Sequence, residues 1–263
     1  MNVVRQPRRV NGRAHYDRAL LQARLSAFAP GEFVGQESFM GATEILQLAA
    51  RAGVAPGVAV LDLCCGVGGP GLLISRELGC SYVGIDEDAE AIGVARQRAL
   101  DLDCRFEVAR VPPIPRGPYD VVLMLETLLA FADKESLLQQ VAAVLDVGGR
   151  LAVTAEEGPP LTAAERSRMP ASGTVWPVAL PDLLSSLDRA GLRVTWQTEC
   201  TQAHRSTAAA LHDAFRADAH AIAAQLGRDC LHDLLTSHRL WRDWLRDGRV
   251  RKFALVAEKV AHA

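Results

Sequence analysis

The run Val60-Leu61-Asp62-Leu63-Cys64-Cys65-Gly66-Val67-Gly68-Gly69-Pro70-Gly71 constrains this chain more than any other stretch. An apolar strand ends on an acidic residue, a glycine-rich turn follows, and a helix begins. Eighteen residues after Gly68, a second apolar run, Ser81-Tyr82-Val83-Gly84-Ile85, ends in Asp86. Glycines let a ligand approach the backbone, and a carboxylate at the end of the next strand can grip ribose hydroxyls. The pairing describes a nucleotide-type site. The bland alternative is a tight βα turn with no ligand.

Strand and helix patterns alternate from that point. Strands are expected at 58–63, 81–86, 104–109, 119–124, 149–155, 192–199 and 251–258, with helices at 70–79, 88–100, 134–145 and 181–190. Spacing of this kind implies βαβ units and a mostly parallel sheet. Ahead of it, 16–28 and 38–52 have helical periodicity and flank a Pro-Gly loop, forming an N-terminal helical cap over 1–52. The core occupies 53–200 and 250–263, interrupted by the 201–249 insertion. There, Leu211, Phe215, Ile222 and Leu226 share one helical face, as do Leu231, Leu234, Leu235, Trp241 and Leu245. Two amphipathic helices are expected, acting as a lid, a homodimer contact or both.

The chain's 263 residues carry a net charge of −2, which gives no basic face for nucleic acid. Its six cysteines form no CxxC pair and no metal spacing, as in a reduced cytosolic thiol set. The start MNVVRQPRRVNGR lacks an apolar signal region, and no apolar run approaches the roughly 20 residues that span a bilayer. A soluble, cytoplasmic protein without a bound metal is expected.

Asp62 argues about the ligand. A carboxylate at the mouth of the loop repels a pyrophosphate and suits a cation, and S-adenosylmethionine carries a sulfonium and an ammonium but no phosphate. The span from Val60 to about Arg150 resembles class I S-adenosylmethionine-dependent methyltransferases, in the form with two cysteines before Gly-x-Gly seen among ubiquinone/menaquinone-type members. The resemblance implies a Rossmann-like seven-stranded, mostly parallel α/β sheet with the last strand antiparallel, plus a helical lid. It places Asp62, Cys64, Gly66 and Gly68 at the cofactor, with Asp86 and Glu87 at the ribose. Arg110 stands where the family has an acidic residue at the adenine, which leaves apolar contact with Val111. Tyr119 to Glu126 resembles the fourth strand, which ends beside the methyl group and puts Glu126 at the cofactor. Leu145-Asp146-Val147-Gly148-Gly149 resembles the turn into strand five, with Val147 replacing proline.

Strand four ends in Leu125-Glu126-Thr127-Leu128, without the Pro-Pro-aromatic signature that grips a planar amide nitrogen. A small-molecule acceptor is therefore expected, as in sarcosine/dimethylglycine, sugar and polyketide-tailoring relatives. The histidine that serves sugar-modifying relatives as base is missing after Thr127-Leu128. Glu156, Glu157 and His238 are the remaining candidates for a base; solvated carboxylates and a core histidine are the plain alternatives. Phe33, Trp176 and His204 are candidate acceptor contacts, and Gln36 and Ser38 could reach the methionine end of the cofactor, with Tyr16 a weaker candidate. S-adenosylhomocysteine would be the product. Two other readings stay open: an enzyme that keeps the cofactor while catalysing a cyclisation or elimination, and a cofactor-binding protein without turnover.

Overall fold

The computed structural model describes residues 18–100, 102–170 and 175–261; Tyr16 lies outside them. Seven strands form one sheet: β1 (Ala59–Leu63), β2 (Ser81–Asp86), β3 (Cys104–Val108), β4 (Tyr119–Met124), β5 (Leu145–Glu157), β6 (Leu192–Glu199) and β7 (Arg251–Lys259), in the order β3-β2-β1-β4-β5-β7-β6. The pairs from β3 through β5 are parallel, and β7 runs antiparallel to both β5 and β6. The order reverses between β1 and β4, the point at which ligands bind in open α/β sheets.

Helices cover both faces. On one, α2 (Ala42–Arg51), α3 (Gly69–Leu78) and α4 (Ala89–Arg98) bury Ile45, Leu48, Leu72 and Ile92 against Val60, Leu123 and Ala152. On the other, α5 (Lys134–Val144) and α7 (Leu180–Arg189) bury Leu137, Leu138 and Leu187 against Leu61, Val122 and Val153. Local chemistry sets their ends. Asp88 caps α4 by accepting the Glu90 and Ala91 N–H groups, and Asp133 caps α5 through Ser136.

Three expectations change. Strand five begins at Leu145 directly after α5, with the Gly148-Gly149 turn absorbed by a register shift between Tyr119 and Val121 of β4. It also runs on to Glu157, because Glu156 and Glu157 pair with Lys252 and Arg251 of β7. The second N-terminal helix starts at Ala42 rather than at 38, since Gln36 and Glu126 hold the loop before it in irregular form. The insertion contains three helices, not two: α8 (Thr201–Ala217), α9 (Ala219–Leu226) and α10 (Arg228–Arg246). Gly227 separates the last two, as its composition suggests. The break at Asp218 has no glycine or proline to announce it.

The N-terminal segment does not pack as one body. Helix α1 (Arg18–Ala27) joins the insertion, where Leu20 and Ala23 share a core with Leu211, Phe215, Ile222 and Trp241. Helix α2 packs on α3 and β7 of the central domain. Between them, residues 28–41 cross from the insertion to the core. A four-residue helix, α6 (Ala163–Arg166), lies in the connection after β5.

Candidate active site

Backbone geometry shapes the loop after β1. Gly66 has φ +55°, and a Cβ built on it meets nothing within 4 Å. That is open space beside a left-handed backbone, which glycine adopts without cost. Gly68 also has a positive φ, +74°, but faces the other way: a Cβ there would lie 2.7 Å from Phe106 and 3.0 Å from Ala95. The missing Gly68 side chain therefore serves packing behind the loop. Cys64 occupies the left-handed region at φ +63° without being glycine, a conformation costing roughly 1–2 kcal/mol.

Two buried carboxylates back the loop. Asp86 accepts the Gly66 N–H at 2.9 Å and the Asp88 N–H at 3.0 Å. It thereby fixes the loop and stands next to the open space. Asp62 accepts the Tyr82 hydroxyl. Burial pushes its carboxyl up to about 7, an effect reduced by the Tyr82 bond and reinforced by Asp86. Glu87 is exposed and lies 3.9 Å from Arg110. Val111 is buried at the base of this edge.

Gln36 does something other than expected. Its Oε1 accepts the Val34 N–H at 2.7 Å, and its Nε2 donates to the Glu32 and Met40 carbonyls at 2.9 and 2.8 Å. Both amide protons are spent inside the loop, so none is left for a cofactor. Ser38 Oγ accepts the Met40 N–H. Arg98 then joins the two loops, donating to Val67 O at 3.0 Å and Val34 O at 2.9 Å.

Beyond β4 lies an ion network. Glu126, at φ +56°, accepts the Phe39 N–H at 2.8 Å and gives its own N–H to Thr154 at 2.5 Å. Lys252 Nζ lies 2.6 Å from Glu126 and donates to Glu156. His204 stands between Glu126 (2.9 Å to Nδ1) and Glu44 (2.8 Å to Nε2). Burial raises the Glu126 carboxyl, but Lys252 and His204 outweigh it and hold the group well below its usual range. Burial alone would lower His204; Glu126, Cys200 and Glu44 instead raise it to about 11, which makes it an imidazolium. For Glu156, burial wins over Lys252 and the carboxyl is raised.

These facts sort the candidate residues. Glu126 binds the N-terminal loop rather than facing a ligand. His204 is fully buried and charged, so it cannot serve as an acceptor contact in this state. Glu156 is consumed by Lys252, and Glu157, on the opposite face of β5, accepts from Arg251 at 2.9 Å. Neither is an available base. His238 differs: burial pushes it down to about 4, with the Leu234 carbonyl opposing. Its Nδ1 lies 2.9 Å from that carbonyl. A neutral ring donating there leaves the Nε2 lone pair available. The ring packs edge-on to Phe39 and Phe215, with centroids 6.4 and 4.7 Å away. Phe33 packs on Phe28, and Trp176 sits under the Arg166 guanidinium at 4.4 Å, lining a separate cavity of about 420 Å³ with Lys134 and Leu161. Lys252 was missed in the sequence, although a lysine in phase with Val250, Ala254 and Val256 along a strand was a readable signal.

Among known proteins, the profile of a family described as "Methyltransferase domain" matches residues 55–208. Phosphoethanolamine N-methyltransferase 1 of Arabidopsis thaliana is 33% identical over 103 residues, 38% of this chain and 21% of that protein. The 27-O-demethylrifamycin SV methyltransferase of Amycolatopsis mediterranei is 34% identical over 144 residues, 51% of this chain and 53% of that one. This chain thus spans about a fifth of the first protein and about half of the second. Among solved structures, the cyclase SpnF superposes with a TM-score of 0.70 at 21% identity, covering 98% of this chain and 99% of that one. At that identity the likeness concerns the fold.

Proposed function

Because this chain belongs to the methyltransferase-domain family, we propose that it transfers the methyl group of S-adenosylmethionine to an oxygen, nitrogen or carbon centre of a small specialised metabolite, leaving S-adenosylhomocysteine. The observation that carries this reading is the open space at Gly66, set at the sheet's switch point beside Asp86 and Asp62. Those residues fit the cofactor: glycine gives the backbone approach, Asp86 is a carboxylate of the kind that binds ribose hydroxyls, and Asp62 supplies the field for a cation. When bound, the cofactor supplies a methyl carbon on a sulfonium leaving group.

The chain's part is orientation and exclusion of water. Arg98 clips the N-terminal loop over the glycine loop, and Glu126 draws Phe39 to the end of β4. Phe39 and Trp241, buried but not sealed like Phe215, stand nearest a partly apolar acceptor. The His238 Nε2 lone pair accepts a hydrogen bond from the acceptor's hydroxyl or amine. A ring titrating near 4 is a weak base, so it orients the acceptor and takes up no proton before transfer. The insertion spends its inner face on α1, which favours the lid role over a dimer contact. No helix among the described residues is long and apolar enough to cross a membrane; we place the enzyme in the cytoplasm.

Calorimetry tests the donor. Wild type should bind S-adenosylmethionine, and Asp86→Ala should bind about 10- to 150-fold more weakly, since a hydrogen bond to a charged group is worth roughly 1.5–3 kcal/mol. Absence of binding by wild type overturns the reading. A panel of hydroxylated and aminated metabolites, assayed for S-adenosylhomocysteine release, tests turnover; product without that release would favour cyclisation.

Asp62 adds a pH signature. Its carboxyl is half protonated near pH 7, and a cation bound nearby favours the ionised form, so binding releases a proton below pH 7. Affinity should therefore rise with pH by up to about tenfold per unit below 7 and level off above it. Asp62→Asn should flatten the profile; an equally steep profile in that variant assigns the proton to another group.

A further inference from the structure

Three donors of different chemistry converge where the core meets the lid. Glu44 lies in the first turn of α2. Cys200 immediately precedes α8, and His204 follows four positions later on the same side of its first turn, its N–H donating to Cys200 O at 3.1 Å. The Glu44 oxygens lie 2.9 and 2.8 Å from His204 Nε2. One ligand atom from each of Glu44, Cys200 and His204 falls within a 4.8 Å cluster. We propose that Glu44, Cys200 and His204 bind a divalent transition-metal ion of the zinc class, which cross-links core helix α2 to lid helix α8.

The donor set is thiolate, imidazole and carboxylate, the three that zinc accepts together. Metal-bound histidines commonly direct their other nitrogen at a carboxylate, which fixes the ring and raises its basicity. Here Glu126 Oε1 lies 2.9 Å from His204 Nδ1, on the side away from Glu44. The Glu44 side chain is 25% exposed, which gives an ion a path in and a water the fourth position. No sequence motif announced the set, because Cys200-x-x-x-His204 gains its third donor only when the fold brings Glu44 of α2 to His204 of α8.

The test uses the full chain, reduced and stripped with a chelator, then titrated with cobalt(II). One equivalent should produce a thiolate-to-cobalt charge-transfer band in the near ultraviolet, and zinc(II) should abolish it. Cys200→Ser should lose the band and bind cobalt more than about 100-fold more weakly, given that loss of an outer partner alone costs about 10- to 100-fold. Cys230→Ser should leave the band unchanged. Glu44→Gln, at a partly exposed position, should also weaken binding and covers the case in which Cys200→Ser does not fold. Absence of the band in wild type, or its persistence in folded Cys200→Ser, reduces the cluster to a buried ion pair beside a thiol. Cofactor binding is measured separately, so this result stands apart from the methyltransferase reading.

Discussion

Lys252→Met is expected to lower folding stability by about 3–5 kcal/mol in urea denaturation, the usual cost of removing one partner from a buried ion pair. Lys252 is 1% exposed and lies between Glu126 and Glu156, which are themselves buried or nearly so. Without the ammonium, Glu126 keeps His204 while Glu156 has no counter-charge. Glu156 must then bind a proton or open the sheet edge to water. The double variant Lys252→Met/Glu156→Met should recover much of the loss, since a buried pair replaced by apolar groups of similar volume is often neutral. A loss below about 1 kcal/mol in the single variant would show that the pair is balanced by something other than its charges.

Gly66→Val is expected to bind no measurable S-adenosylmethionine and yet to fold. The space its side chain would enter is empty of protein atoms to 4 Å, so the fold meets no collision. The cost to stability is that of a left-handed backbone, roughly 1–2 kcal/mol, somewhat more for a β-branched residue. The ligand meets the side chain directly. Calorimetry together with a melting curve separates the two effects: a folded variant with retained affinity places the cofactor elsewhere. Gly68→Val should behave in the opposite way, losing stability through Phe106 and Ala95.

The contrast between those glycines marks the limit of what the sequence discloses. Strand–helix alternation, the loop after β1 and the carboxylate closing β2 are local patterns, and the sheet realises them at nearly the expected positions. The Glu126 network is not local. Its members come from α2, the end of β4, β5, α8 and β7, and only the antiparallel register that sets Glu156 opposite Lys252 brings two of them together. Glu156 read as a substrate-facing carboxylate because strand five was expected to stop at 155. Gln36 read as a contact to the methionine end of the cofactor largely through resemblance, and nothing in the sequence shows that its amide is consumed by Glu32, Val34 and Met40. His238, by contrast, keeps its place on the apolar face of its helix, where the period already set it.

The crossing of residues 28–41 from the insertion to the core has a mechanical consequence. Helix α1 travels with α8 and α9, while α2 stays with the sheet. The insertion and α1 are thus joined to the core by three chain passages: this one, the entry into α8 and the exit from α10. A body held at three points can tilt but cannot swing free. The 28–41 passage itself is tied to the core by both the Arg98 clip at Val34 and the Phe39 N–H held by Glu126. Two hydrogen bonds on one short strap thus set how closely the insertion is drawn to the sheet.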